Sequence, residues 1–190
     1  MRNFLFAATL ASSLTVAAVG GSIEGKISPG TSVVYVDTIP GKAFPAPSQQ
    51  SVINQKGLAF SPHILVVQKG TTVQFENDDS VQHNVFWPSV GGNKKDAHNL
   101  GTWPTGERRP FKFDQAGVVP LLCNVHAEMS GFIVVSPTPY FAQTDEAGNY
   151  KIDSVPDGKY TVTAWHEGSK PESKTVDVAG AAKADFTLSN

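Results

Sequence analysis

In Cys123-Asn124-Val125-His126-Ala127-Glu128-Met129 a thiol, an imidazole and a thioether recur at every third residue. Apolar runs flank them, Val118 to Leu122 on one side and Gly131 to Val135 on the other. A tight loop between two strands can turn all three side chains towards one point. A second imidazole, His83, lies 40 residues before the thiol in Val81-Gln82-His83-Asn84-Val85-Phe86. Two imidazole nitrogens, one thiolate and one weakly bound thioether make the trigonal-plus-axial donor set of an electron-transfer copper site. Thiolate and thioether suit Cu(I) and imidazole suits Cu(II), so such a site serves both oxidation states with little rearrangement. Zinc prefers a tetrahedral set and rarely recruits a thioether. The axial donor has two candidates, Met129 and its neighbour Glu128. The other histidines, His63, His98 and His166, are expected to pack or to face solvent, with a second metal site as their alternative role.

The elements that must position these residues read as strands. Past residue 20 the chain is a succession of short Val, Ile, Thr, Phe and Tyr runs broken by Gly, Pro, Asn and Asp, with no long helical periodicity. Val73 and Phe75 share one face of a period-two run, as do Tyr160, Val162 and Ala164. The fold class is therefore all-β. Probable strands near the metal ligands are His63 to Gln68, Thr72 to Glu76, Phe111 to Phe113, Val118 to Cys123 and Phe132 to Val135. Two proline-dense stretches, Pro40 to Pro47 and Ser136 to Pro139, interrupt sheet ladders and mark boundaries. They set off a unit over about residues 48–136 from one over 137–190.

The pattern Phe60-x-Pro62-x-Ile64-x-Val66-x-x-Gly70-x-x-Val73-x-Phe75-x-Asn77, followed by His83-Asn84-Val85, resembles the cupredoxin family of type 1 blue copper proteins. The Cys-x-x-His-x-x-Met loop resembles the short ligand loop of amicyanin. That resemblance implies a Greek-key β-sandwich with one type 1 copper at one end, held by His83, Cys123, His126 and Met129. It also implies His126 near the surface as the electron route, and Asn84 bracing the ligand loop. The segment Trp87 to Arg109 departs from the small members of the family and reads as an insertion. At its start, Phe86-Trp87-Pro88, with Ala127, has two readings, an apolar patch by His126 for docking a redox partner or core packing.

After Tyr140 the chain resembles another family. Thr144-Asp145-Glu146-Ala147-Gly148-Asn149-Tyr150 with Val155-Pro156-Asp157-Gly158-Lys159-Tyr160 is similar to the carboxypeptidase regulatory-like, or transthyretin-like, β-sandwich. Some fifty residues are short for a whole sandwich. Strands from 22–47, such as Ile23 to Ile27 and Val33 to Val36, are expected to complete it, which makes this second, smaller domain discontinuous. It carries no nucleophile, base or carboxylate pair that would make it an enzyme.

Composition narrows the function. With 15 Lys+Arg against 17 Asp+Glu over 190 residues, the formal net charge is −2, and no basic stripe is available for nucleic acid. Residues 1–20 read as a basic start, an apolar run and a small-residue cleavage zone, the tripartite form of a secretory signal. No later apolar run approaches the ~18 residues of a membrane span, so the mature chain is expected in the periplasm or otherwise exported, with contact at a membrane surface left open. A lone cysteine, Cys123, in an oxidising compartment needs an occupation, and a metal supplies one. The leading expectation is a non-enzymatic carrier of single electrons between redox partner proteins; the alternative is a copper chaperone or sequestration protein using the same ligands.

Overall fold

The computed structural model describes residues 20–29 and 31–189, so that the secretory signal read at 1–20, Gly20 apart, lies outside the described residues. In chain order the first strands are β1 (Gly21–Ser28) and β2 (Val33–Val36). Then follow β3 (Ser51–Gln55), β4 (Phe60–Ser61), β5 (Ile64–Gln68), β6 (Thr72–Asn77), β7 (His83–Trp87), β8 (His98–Trp103), β9 (Arg108–Lys112), β10 (Gly117–Leu122) and β11 (Ser130–Ser136). The last six are β12 (Phe141–Gln143), β13 (Asn149–Val155), β14 (Gly158–Trp165), β15 (Glu172–Val178), β16 (Ala181–Lys183) and β17 (Phe186–Thr187). One 3-10 turn, Lys94–Asp96, interrupts them. The all-β reading is thus borne out.

Four sheets divide these strands. In the middle of the chain, β5-β11-β10-β7-β8 faces β4-β3-β6-β9, and apolar residues of both meet in one core around Phe75, Trp87, Trp103, Phe113, Val119, Leu121 and Ile133. Period-two alternation builds that core: in β6, Val73, Phe75 and Asn77 point inward while Thr72, Gln74 and Glu76 are half-buried. The two ends of the chain make the other pair of sheets. β1 lies between β13 and β16 and also pairs with β17, while β2 lies between β12 and β14, with β15 beyond. Their core gathers Ile23, Ile27, Val36, Ile152, Val162, Val178 and Phe186. A third, smaller cluster joins the two halves, with Val33 and Trp165 from one and Ile64 and Val134 from the other.

Gly25 shows how tightly the N-terminal strand is threaded. A Cβ there would stand 2.1 Å from the Ala184 carbonyl oxygen, so only glycine fits.

Part of the segment Trp87 to Arg109, read as an insertion, is a regular strand of the sheet. Residues His98–Trp103 form β8, the edge strand that pairs with β7 from His83↔Trp103 to Trp87↔His98. Its side chains are mostly exposed or half-buried, so the apolar alternation that reveals a strand in sequence is missing. Trp87 itself is 1% exposed and belongs to the core, which settles the two readings in favour of packing.

Candidate metal centre

Two elements meet at the end of the β5-β11-β10-β7-β8 sheet. β7 starts at His83, and β10 passes beside it with Leu122 paired to Phe86. The loop that follows β10 therefore closes over the start of β7. It turns tightly, with the Met129 amide donating to the His126 carbonyl at 3.1 Å.

His83, Cys123 and His126 come together here, their donor atoms all within 4.8 Å of one another. They are the one group of His, Cys, Asp or Glu side chains among the described residues close enough to hold an ion. His83 and Cys123 are buried and His126 is half-buried. The Nδ1 atoms of the two imidazoles face each other at 3.1 Å, with ring centroids 4.8 Å apart and planes 62° apart. Met129 is 1% exposed and lies in the same apolar core as Cys123, whereas Glu128 is exposed.

Neighbouring groups fix these side chains. Asp79 accepts at Oδ2 from His83 Nε2, 2.7 Å away, which leaves Nδ1 as the free donor atom of that ring. The same carboxylate accepts from the amides of Gly57 at 2.7 Å and Leu58 at 3.0 Å. These two amides belong to the β3–β4 hairpin turn, where Gly57 and Leu58 both have left-handed backbone, φ 64° and 58°. The Leu58 amide first, then Gly57 and the His83 ring, hold the Asp79 carboxyl below the usual carboxylate range. Asn84 braces the loop from the other side. Its backbone amide donates to Cys123 Sγ at 3.4 Å, its Oδ1 accepts from the Asn124 amide at 3.4 Å, and its Nδ2 donates to Asn99 Oδ1 at 2.9 Å. Sequence reading missed Asp79 and Asn99. The four-residue step from Asp79 to His83 was visible, but nothing in it showed that the intervening turn folds back.

The remaining histidines lie elsewhere. His63 is exposed and contacts Ser130 and Glu167, His98 stacks against Trp87 and Phe111, and His166 Nδ1 lies 3.4 Å from the Ser32 hydroxyl.

The donor set fits a single copper. Three atoms within 4.8 Å of one another share a point no more than about 2.8 Å from each, close to the ~2.0–2.1 Å and ~2.3 Å a first-row ion such as zinc takes to imidazole and thiolate. Two nitrogens bound to one such ion at a near-tetrahedral angle stand ~3.3 Å apart; here they are 3.1 Å apart. Thiolate with imidazole is a donor set that suits copper in both oxidation states.

Comparison with known proteins agrees with this reading. Residues 48–136 match the model of the copper binding proteins of the plastocyanin/azurin family, and residues 124–189 match that of the carboxypeptidase regulatory-like domain. The second match overlaps β11, which the structure places in the sheet of the first. No curated protein matches the chain. Among solved structures, a purple cupredoxin from Nitrosopumilus maritimus is 30% identical, covering 46% of this chain and 100% of its own, with a TM-score of 0.41. An oxidised amicyanin variant is 22% identical over 46% of this chain and 82% of its own, with a TM-score of 0.42. A copper-containing nitrite reductase from Thermus scotoductus SA-01 is 25% identical over 53% of this chain and 25% of its own, again with a TM-score of 0.42. Through its central segment, residues 48–136, the chain is similar to the copper binding proteins of the plastocyanin/azurin family.

Proposed function

We propose that this protein is an exported type 1 copper protein that carries single electrons between redox partner proteins. The observation that carries the proposal is the convergence of a buried thiol, a buried imidazole and a half-buried imidazole at one end of the sandwich. A bound copper supplies one-electron exchange at that place. Cys123, His83 and His126, with Met129, are the residues that would hold it. Burial of Met129 and exposure of Glu128 favour the thioether. The protein's part is to keep the ligands still and the site dry. Asp79 fixes the tautomer and angle of His83, and Asn84 ties Cys123 and Asn124 to the β7–β8 pair. His126 alone of the three has an edge towards solvent, which makes it the contact point for a partner.

Two domains share the work in this reading. Residues 48–136 are the copper unit, and 137–190 with strands from 22–47 are a carboxypeptidase regulatory-like unit that orients or anchors it. The pairing of β1 with β13, β16 and β17, and of β2 with β12 and β14, supports that division. Among the described residues no helix is long and apolar enough to cross a membrane.

The test is the visible spectrum of the purified mature protein titrated with Cu(II), repeated on Cys123→Ser. An intense thiolate-to-copper band that saturates at one copper, bleaches reversibly on reduction and vanishes in the variant is expected. Tight copper binding with no such band would refute electron carriage and leave copper sequestration or delivery.

A further inference from the structure

A side-chain bridge links the second unit to the ligand loop. Glu167, just past the end of β14, places Oε2 2.6 Å from His63 Nε2. His63, immediately before β5, places its other ring nitrogen, Nδ1, 3.1 Å from the carbonyl oxygen of Ser130. Ser130 directly follows Met129. The ring thus lies between two oxygens, one from each unit.

The far end of this bridge is held in place. The Phe132 amide donates to the His63 carbonyl at 2.8 Å, and a Cβ on Gly131 would stand 3.0 Å from that carbonyl and 3.1 Å from Phe60 Cβ. His63 also packs edge-on against Phe132, whose ring lies 5.2 Å from that of Trp165. The start of β11 is thus seated against His63 with no slack, beside the apolar cluster of Val33, Ile64, Val134 and Trp165 that joins the two units. A displacement of Glu167 has one short path to the backbone that carries Met129.

We propose that Glu167 and His63 are positioning residues for the copper ligand loop, through which the carboxypeptidase regulatory-like unit sets the strength of the Met129 contact. The inference rests on the reading of Met129 as a ligand. It gives the second unit a role in tuning the site, and it makes the loop of Trp165 to Gly168 the place where a bound partner would alter the potential.

The experiment is a double-mutant cycle on the copper-loaded full chain: Glu167→Ala, His63→Ala and the pair. Each single variant is expected to change the ratio of Cu(I) to Cu(II) affinity about threefold, about 30 mV for a one-electron couple at ~59 mV per decade. It should also shift the thiolate-to-copper band, which a distant loss of charge would leave alone. The pair should shift no further than either single variant, and Glu167→Asp should recover part of the change. The Glu167 side chain is 41% exposed, so its variants keep the fold even if His63→Ala does not. An unaltered potential and band in Glu167→Ala, or additive shifts in the pair, would overturn the proposal. Measured without metal, the amide resonances of Met129 and Ser130 should move in Glu167→Ala; if they stay put, the link is refuted whether or not the protein proves to carry electrons.

Discussion

Replacing Asp79 with alanine tests the idea that one carboxylate holds both the hairpin turn and the buried imidazole. His83 is 0% exposed, and without Asp79 its Nε2–H has no acceptor. An orphaned buried donor costs about 1–3 kcal/mol. The amides of Gly57 and Leu58 are on an exposed turn and recover water, so losing these bonds adds only a few tenths. The sum is about 2 kcal/mol. With a urea slope of about 2 kcal/mol per molar, the unfolding midpoint of the metal-free copper unit should fall by about 1 M, read from the fluorescence of the core residues Trp87 and Trp103. Asp79→Asn can keep an acceptor oxygen for His83 and Leu58 in the place of Oδ2 but turns an amide donor towards the Gly57 amide, so it should lose less than Asp79→Ala. The carboxyl is held below its usual range in the folded protein, so its contribution is complete above the unfolded value of about 3.9 and fades as pH falls through the folded one. The part of the gap between wild type and Asp79→Ala that comes from this ionisation should therefore be full above about pH 4 and be lost in stronger acid. A midpoint shift below about 0.25 M, or a gap that does not narrow in acid, would refute the reasoning.

Three further outcomes follow from the packing. Gly25→Ala forces a Cβ against the Ala184 carbonyl and should destabilise the second unit by about 2 kcal/mol or more; a thermal melt followed by far-ultraviolet circular dichroism that does not move would contradict the close threading of β1. Trp165→Ala empties the largest side chain of the joining cluster and should cost about 3 kcal/mol, seen as faster proteolysis in the Ser136 to Tyr140 connector. Tyr35, beside the same cluster, has its phenol pushed up to about 12 by burial first and the Asp37 charge second. The folded state then resists an ionisation that the unfolded chain undergoes near pH 10, so stability is full below that value and declines by up to about 2 kcal/mol as pH climbs towards 12. Tyr35→Phe should flatten this part of the decline in denaturation curves taken between pH 9 and 12.

What the sequence could specify by itself is whatever is written in short-range pattern. The period-two runs of Val73 with Phe75 and of Tyr160 with Val162 carry the all-β class, because alternation is a property of neighbours along one strand. The Cys123, His126 and Met129 spacing is equally local, since one loop holds all three. The cupredoxin likeness rests on the same kind of signal, runs of inward-facing residues at fixed steps. β8 escaped for the opposite reason: an edge strand with solvent on most of its side chains has no alternation to read. Trp87 could not be placed from its neighbours either, because whether an aromatic at a strand end meets solvent or Phe75, Phe111 and Phe113 depends on strands far away in the chain.

Only the tertiary structure decided which distant groups stand beside the loop. Asp79 meets His83 because the turn before β7 folds back under the β3–β4 hairpin, and Asn99 meets Asn84 because β8 returns along β7. His63 reads in sequence as the first residue of a strand; its place between Glu167 and Ser130 brings together groups 104 and 67 residues away from it in the chain. Residue type and spacing specify which chemistry is available. The orientation of each ring, its tautomer and its second contact come from packing across the sheets, which no local pattern encodes.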